Sequence, residues 1–207
     1  MKRTFALNAG FTLVELLIVI GLLGAIALIV IAAINPIEQA NRARDARFRA
    51  DGGQIISAVE RYFTSHSAFP WEGCADGDCT SASETAYGFV SVADDSLGLC
   101  VGASASGCTS AGVLVTEDEL KNEFLGRDFM KAVVNDKKIF VGKSGTSSSS
   151  VYACYIPLSK AARKSAVDSL KVRTLTFDAN GVPSSTSACD AVAANWVTSG
   201  CYVCIPE

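Results

Sequence analysis

The stretch from Phe11 to Asn35, FTLVELLIVIGLLGAIALIVIAAIN, decides how the rest of the chain is read. Apart from Thr12, Glu15 and the closing Asn35, it holds only apolar residues and glycine. About 25 residues rising 1.5 Å each give roughly 37 Å of helix, enough to cross a hydrocarbon core of about 30 Å with some tilt. Lys2 and Arg3 precede the span, and the positive-inside bias then places the N-terminus in the cytoplasm and the rest of the chain outside. An ordinary secretory signal has a shorter apolar region followed by a small-residue cleavage site. Here the small-residue junction, Ala9-Gly10, comes before the apolar run. Cleavage there would remove the charges and keep the helix.

Composition bounds the remainder. The chain has 207 residues, enough for one ordinary domain or a small domain with an appendage. With 49% hydrophobic and 19% charged residues it is neither a disordered nor a collagen-like polymer. A net charge of −3 leaves no overall basic field to hold nucleic acid by its phosphates. The mean hydropathy of +0.30 is high for a soluble domain, and the excess is concentrated in the N-terminal stretch.

Glu15 is the anomaly in that stretch. A carboxylate at the head of a membrane span is costly and is a functional candidate by default. The plain reading is a side chain snorkelling to the cytoplasmic headgroups. The functional reading needs a cation at apolar depth, and cleavage after Gly10 would supply one as the free α-amine of Phe11.

Gly10-Phe11-Thr12-Leu13-Val14-Glu15 followed by the long apolar helix resembles the class III signal of bacterial type IV pilins and type II secretion pseudopilins. The likeness covers residues 1–36, and a helical stalk continues the pattern to about residue 65; the remaining two-thirds carries no motif of one subfamily. The resemblance implies that a prepilin peptidase cuts between Gly10 and Phe11 and methylates the Phe11 nitrogen. It implies that Glu15 pairs with the N-terminus of a neighbouring subunit during assembly. The implied partners are the chain itself as a helical homopolymer, the prepilin peptidase, the pilus assembly machinery of the inner membrane, and membrane lipid before assembly. The implied location is the inner membrane for the single-pass precursor, with an extracytoplasmic head, and an extracellular pilus after assembly. Helix loosening between Gly21, Gly24 and Pro36 is a feature of packed filaments in this family; close packing of small residues in a membrane helix is the alternative for the two glycines. Pro36 is read more simply as the first residue of a renewed helix after Asn35.

These readings divide the chain into a leader at 1–10, an assembly helix at 11–35, an amphipathic stalk at 36–66 and a head at 67–207. In the stalk, Ile37, Ala40, Phe48, Ile55, Ile56, Val59, Tyr62 and Phe63 form an interrupted apolar stripe. Asp51-Gly52-Gly53 argues against a rigid rod, since each glycine costs about 1 kcal/mol relative to alanine. Arg42, Arg44, Arg47 and Arg49 would meet lipid headgroups, acidic surfaces of adjacent subunits, or only solvent. Thr64 to Pro70 stops the helix. His66, the sole histidine, sits at that end as a surface residue, which removes most histidine-based catalytic and zinc arrangements.

The head reads as loop-rich to about Gly112. Thr116-Glu117-Asp118-Glu119 predicts a capping box opening a short helix through Phe124. Strands are predicted at Lys138–Val141, Val151–Ile156, Val172–Phe177 and near Tyr202 and Val203, with a helix from about Ser159 to Leu170. A small antiparallel sheet packed on the C-terminal half of the long helix is the economical α+β arrangement, pilin-like in outline.

All eight cysteines (Cys74, Cys79, Cys100, Cys108, Cys154, Cys189, Cys201 and Cys204) fall in the head, where an oxidising space would turn an even count into up to four disulfides. Short loops favour Cys74–Cys79 and Cys100–Cys108, leaving the other four to staple the C-terminal region. Cys201-Tyr202-Val203-Cys204 is a CxxC, yet zinc would want a second pair at matching spacing. Asp76-Gly77-Asp78 and Asp178-Ala179-Asn180-Gly181 resemble calcium loops but miss the twelve-residue spacing, so they read as turns. No Walker sequence or nucleophile elbow is present. The expectation is therefore a non-enzymatic pilus subunit without cofactor or metal, serving adhesion, motility or DNA uptake. A type II secretion pseudopilin, a minor pilin, and a monomeric signal-anchored ligand-binding protein are the alternatives.

Overall fold

The computed structural model describes residues 10–33, 35–72, 87–102, 104, 106–145, 149–177, 181–191 and 193–206. The chain divides into two units, residues 1–39 and 40–207.

The first unit contains helix α1, Leu13–Ala33, and the first turn of α2, Pro36–His66. Leu13–Ile31 is long and apolar enough to cross a membrane, and none of it is buried within the chain. The helix restarts after Asn35, whose Oδ1 accepts from the Glu38 N–H at 3.2 Å. Pro36 occupies the first helical position, where its missing N–H costs nothing.

The second unit is α+β. After α2 come β1 (Tyr87–Ser91), β2 (Cys100–Val101), β3 (Ser110–Ala111), α3 (Val113–Thr116), β4 (Ile139–Lys143) and β5 (Val151–Tyr155). They are followed by α4 (Lys160–Asp168), β6 (Arg173–Thr174), β7 (Ser184–Ser185), α5 (Ala193–Thr198) and β8 (Val203–Ile205). Strands β1-β4-β5-β8 form an antiparallel sheet in that order, while β2-β3 and β6-β7 are separate two-stranded pairs.

The period of two along the strands sorts the core into two layers. Ile139, Val141, Val151, Ala153 and Tyr155 join Ile55, Ala58, Val59 and Tyr62 of α2. The alternate residues Phe140, Cys154 and Cys204 join Phe89, Ile156, Ala166, Trp196 and Tyr202. With both faces covered, every residue of β4 is buried.

Helix α2 runs unbroken through Gly52 and Gly53 instead of yielding there. A Cβ on Gly52 would stand 3.3 Å from both Ala153 Cβ and Ile205 Cδ1, so the missing side chain is what lets the helix lie close on the sheet. Close packing offsets the propensity cost that the sequence reading weighed alone. The helix ends at His66, with Ser67 in the left-handed region at φ 56°.

Other predicted elements shift for identifiable reasons. Thr116 closes α3 instead of capping a helix, and Asp118 turns left-handed at φ 58°. Burial of Leu114 and Val115 draws the helix upstream, leaving a 3₁₀ segment at Asn122–Gly126. Tyr87–Ser91, placed in the loop-rich region, is an edge strand of the sheet. The strand predicted over Val172–Phe177 contracts to Arg173–Thr174, which pairs with Ser185 and Ser184, Arg173 also bridging to the Tyr202 backbone. In contrast, β4, β5, α4 and β8 lie close to where the sequence predicts them, and Ser159 proves to cap α4, its Oγ accepting from the Ala162 N–H at 3.2 Å.

Candidate functional site

The candidate site begins at Gly10 and Phe11, both exposed, with Phe11 at 79%. Beyond them Thr12 and Glu15 form a reciprocal pair at the start of α1. Glu15 Oε2 accepts from the Thr12 N–H at 3.0 Å and from Thr12 Oγ1 at 2.8 Å, and the Glu15 N–H donates to Thr12 Oγ1 at 3.2 Å. This is a capping box, in which two otherwise unpaired donors at a helix start are satisfied by each other's side chains. Reading for charge alone passed over Thr12, although the T-x-x-E spacing is visible in the sequence. Gly21 and Gly24 sit inside regular helix with open space around them, so a Cβ at either would meet nothing within 4 Å. Pro36 opens α2.

On the second unit the cysteines form covalent staples. Cys100 bonds to Cys108, Cys154 to Cys204 and Cys189 to Cys201. The CxxC is thus divided between two bridges. Cys154 and Cys204 face each other across the β5–β8 register, and Cys201 follows from α5, its N–H donating to the Trp196 carbonyl at 2.9 Å. Cys74, Cys79, Asp76–Asp78 and Asp178–Asn180 lie outside the described residues. Among the described residues no group of three or more His, Cys, Asp and Glu is placed to hold a metal ion.

Buried polar groups on α2 serve packing. The Asp45 carboxylate accepts from the Leu158 N–H at 3.0 Å and the Ser159 N–H at 2.8 Å, holding the chain that leads into α4. Arg163 answers from inside α4, donating to the Leu158 carbonyl at 2.6 Å and the Ala191 carbonyl at 3.3 Å. Arg44 stacks over Phe48, its Cζ 4.3 Å from the ring centroid, and donates to the Asp136 carbonyl. Burial raises the Asp51 carboxyl above its usual range despite Arg127 at 3.8 Å, since that arginine is itself nearly half exposed. His66, expected at the surface, is half-buried, stacked on Tyr62 with ring centroids 4.1 Å apart at the end of α2.

Comparisons with protein families, with curated proteins and with solved structures found no match. The class defined by the residues themselves is an α+β chain with an exposed N-terminal apolar helix, a small antiparallel sheet and disulfide staples.

Proposed function

We propose that this chain is a structural subunit of a type IV pilus. It enters the inner membrane through residues 11–35, is cut after Gly10 by a prepilin peptidase and is methylated on the Phe11 nitrogen. It then polymerises through α1, with Glu15 meeting the amine of a neighbouring Phe11. One observation carries the reading: Leu13–Ile31 presents apolar side chains on all sides with no cover from its own chain, and a single carboxylate stands at its head beside the exposed Gly10-Phe11 bond. Such a helix needs lipid or other copies of itself around it. The disulfides suit a head exposed to shear and proteases.

The Thr12–Glu15 box favours a second reading. Because it gives Glu15 a local purpose, the same helix serves equally as the anchor or signal sequence of a protein that never polymerises. Intact mass and the N-terminal peptide, measured on filaments sheared from the cell surface, separate the two. A pilus subunit appears in the sheared fraction beginning at N-methylated Phe11. A chain still beginning at Met1, or one absent from sheared filaments and confined to the envelope, would overturn the pilus reading.

A further inference from the structure

Two large grooves flank α2. The larger, about 670 Å³, mixes Arg61, Lys121 and Arg127 with Glu119 and Glu123, and both arginines are already paired, Arg61 with Glu119 and Arg127 with Asp51. The second, about 560 Å³, is different. Arg44, Lys131 and Lys137 line it against one acidic side chain, Asp128, and Val133 and Val134 stand at its edge. These two valines are adjacent, apolar and outward: 72% and 51% of their surfaces are exposed. They join two 3₁₀ turns, Asp128–Lys131 and Asn135–Lys137, and neither lysine forms an ion pair among the described residues.

We infer that this face is a contact site for an anionic phospholipid surface, with Val133 and Val134 entering the interfacial layer and the exposed Lys131 and Lys137 meeting the headgroup phosphates, while Arg44 stays packed on Phe48 beneath them. An apolar tip flanked by cations is the arrangement that binds such a surface, where each basic side chain adds attraction and the apolar pair adds depth. Covalent geometry keeps the bilayer within reach. Arg44 is nine residues beyond Asn35, so even an extended chain could not carry it further than about 30 Å from the end of the apolar span. The inference rests on the reading of residues 11–35 as a membrane helix. It adds that the head is held on the bilayer before assembly, at a face other than α1.

The test is hydrogen exchange of backbone amides 128–138 in the full chain, reconstituted in nanodiscs of phosphatidylcholine alone or with about 30% phosphatidylglycerol. About tenfold slower exchange is expected in the anionic discs. The difference should vanish in the Lys131→Gln/Lys137→Gln double variant and shrink in Val133→Ser; all three side chains are exposed, so folding is not at stake. Equal exchange in the two disc types overturns the inference. A chain that fails to enter discs of either kind overturns the membrane-helix reading first, and this inference with it.

Discussion

The Asp45 carboxylate on the long helix accepts the backbone N–H of Ser159, 114 residues further along the chain, at 2.8 Å. Its other oxygen takes the N–H of Leu158, so one buried side chain satisfies two donors of the turn entering α4. Charge-assisted bonds of this kind are among the stronger ones, and losing the acceptor leaves both donors unmatched. Asp45→Ala is expected to destabilise the protein by roughly 2–4 kcal/mol. The urea midpoint of the full chain in detergent reads this directly, and exchange should accelerate first at residues 158–163. A loss below about 0.5 kcal/mol would remove Asp45 from the framework.

Adjacent glycines on α2 should respond in opposite directions. Gly53 has nothing within 4 Å of a built Cβ, so Gly53→Ala gains helix propensity of about 1 kcal/mol without a clash. Gly52 lies against Ala153 and Ile205, and Gly52→Leu should cost about 1–3 kcal/mol by forcing the helix away from the sheet. Thermal melts of the two variants check the sign at each site.

The disulfides should rank by the chain they close. Cys154–Cys204 spans 50 residues, Cys189–Cys201 spans 12 and Cys100–Cys108 spans 8. On a loop-entropy basis, serine replacement of both partners should cost about 4 kcal/mol for the first bridge and about 2.5–3 for the others. Denaturation midpoints of the three double variants give the order, with peptide mapping to exclude reshuffling.

Asp51 sets a pH dependence. Burial raises its folded carboxyl above the unfolded value, while Arg127 and Arg47 oppose the shift without overcoming it. A raised folded value means that its contribution is fully present below the usual carboxylate range and is lost as pH rises through the folded value. Asp51→Asn, which cannot ionise, should therefore stabilise the chain more at pH 7 than at pH 3, relative to wild type. Urea midpoints at both values test this, and an equal difference at each would contradict it.

Glu15 and Thr12 separate capping from assembly. Thr12→Val breaks the box but keeps the carboxylate; Glu15→Gln keeps a capping partner but removes the charge. If Glu15 meets a neighbour's amine, Glu15→Gln should sharply reduce incorporation into sheared filaments, while the chain stays membrane-bound. Normal incorporation would leave the capping box as its only role.

Local rules made α1, the Asn35-Pro36 restart, β4, β5, α4 and β8 legible from the residues. In each, an apolar run, an alternation of two or a cap acts over neighbouring positions and needs no distant partner. The candidate site at Gly10–Glu15 was legible in the same way, because it is contiguous. Thr12 belongs to that contiguous site too, since its three-residue spacing from Glu15 is a local capping signal that charge by itself does not reveal.

Tertiary structure alone decided the rest. Gly52 reads as a weakness until Ala153 and Ile205 are placed against it, and Asp45 reads as a solvated acid until the turn at Leu158 and Ser159 arrives. The pairing of Cys154 with Cys204 depends on strand register, and that of Cys189 with Cys201 on how the chain around α5 packs; spacing determines neither. Arg44, Lys131 and Lys137 meet around one groove only because the chain between them folds back onto α2. Sequence determines what each short segment favours by itself; contacts between residues dozens of positions apart depend on which segments share a core, and that is settled by burial summed over the whole fold.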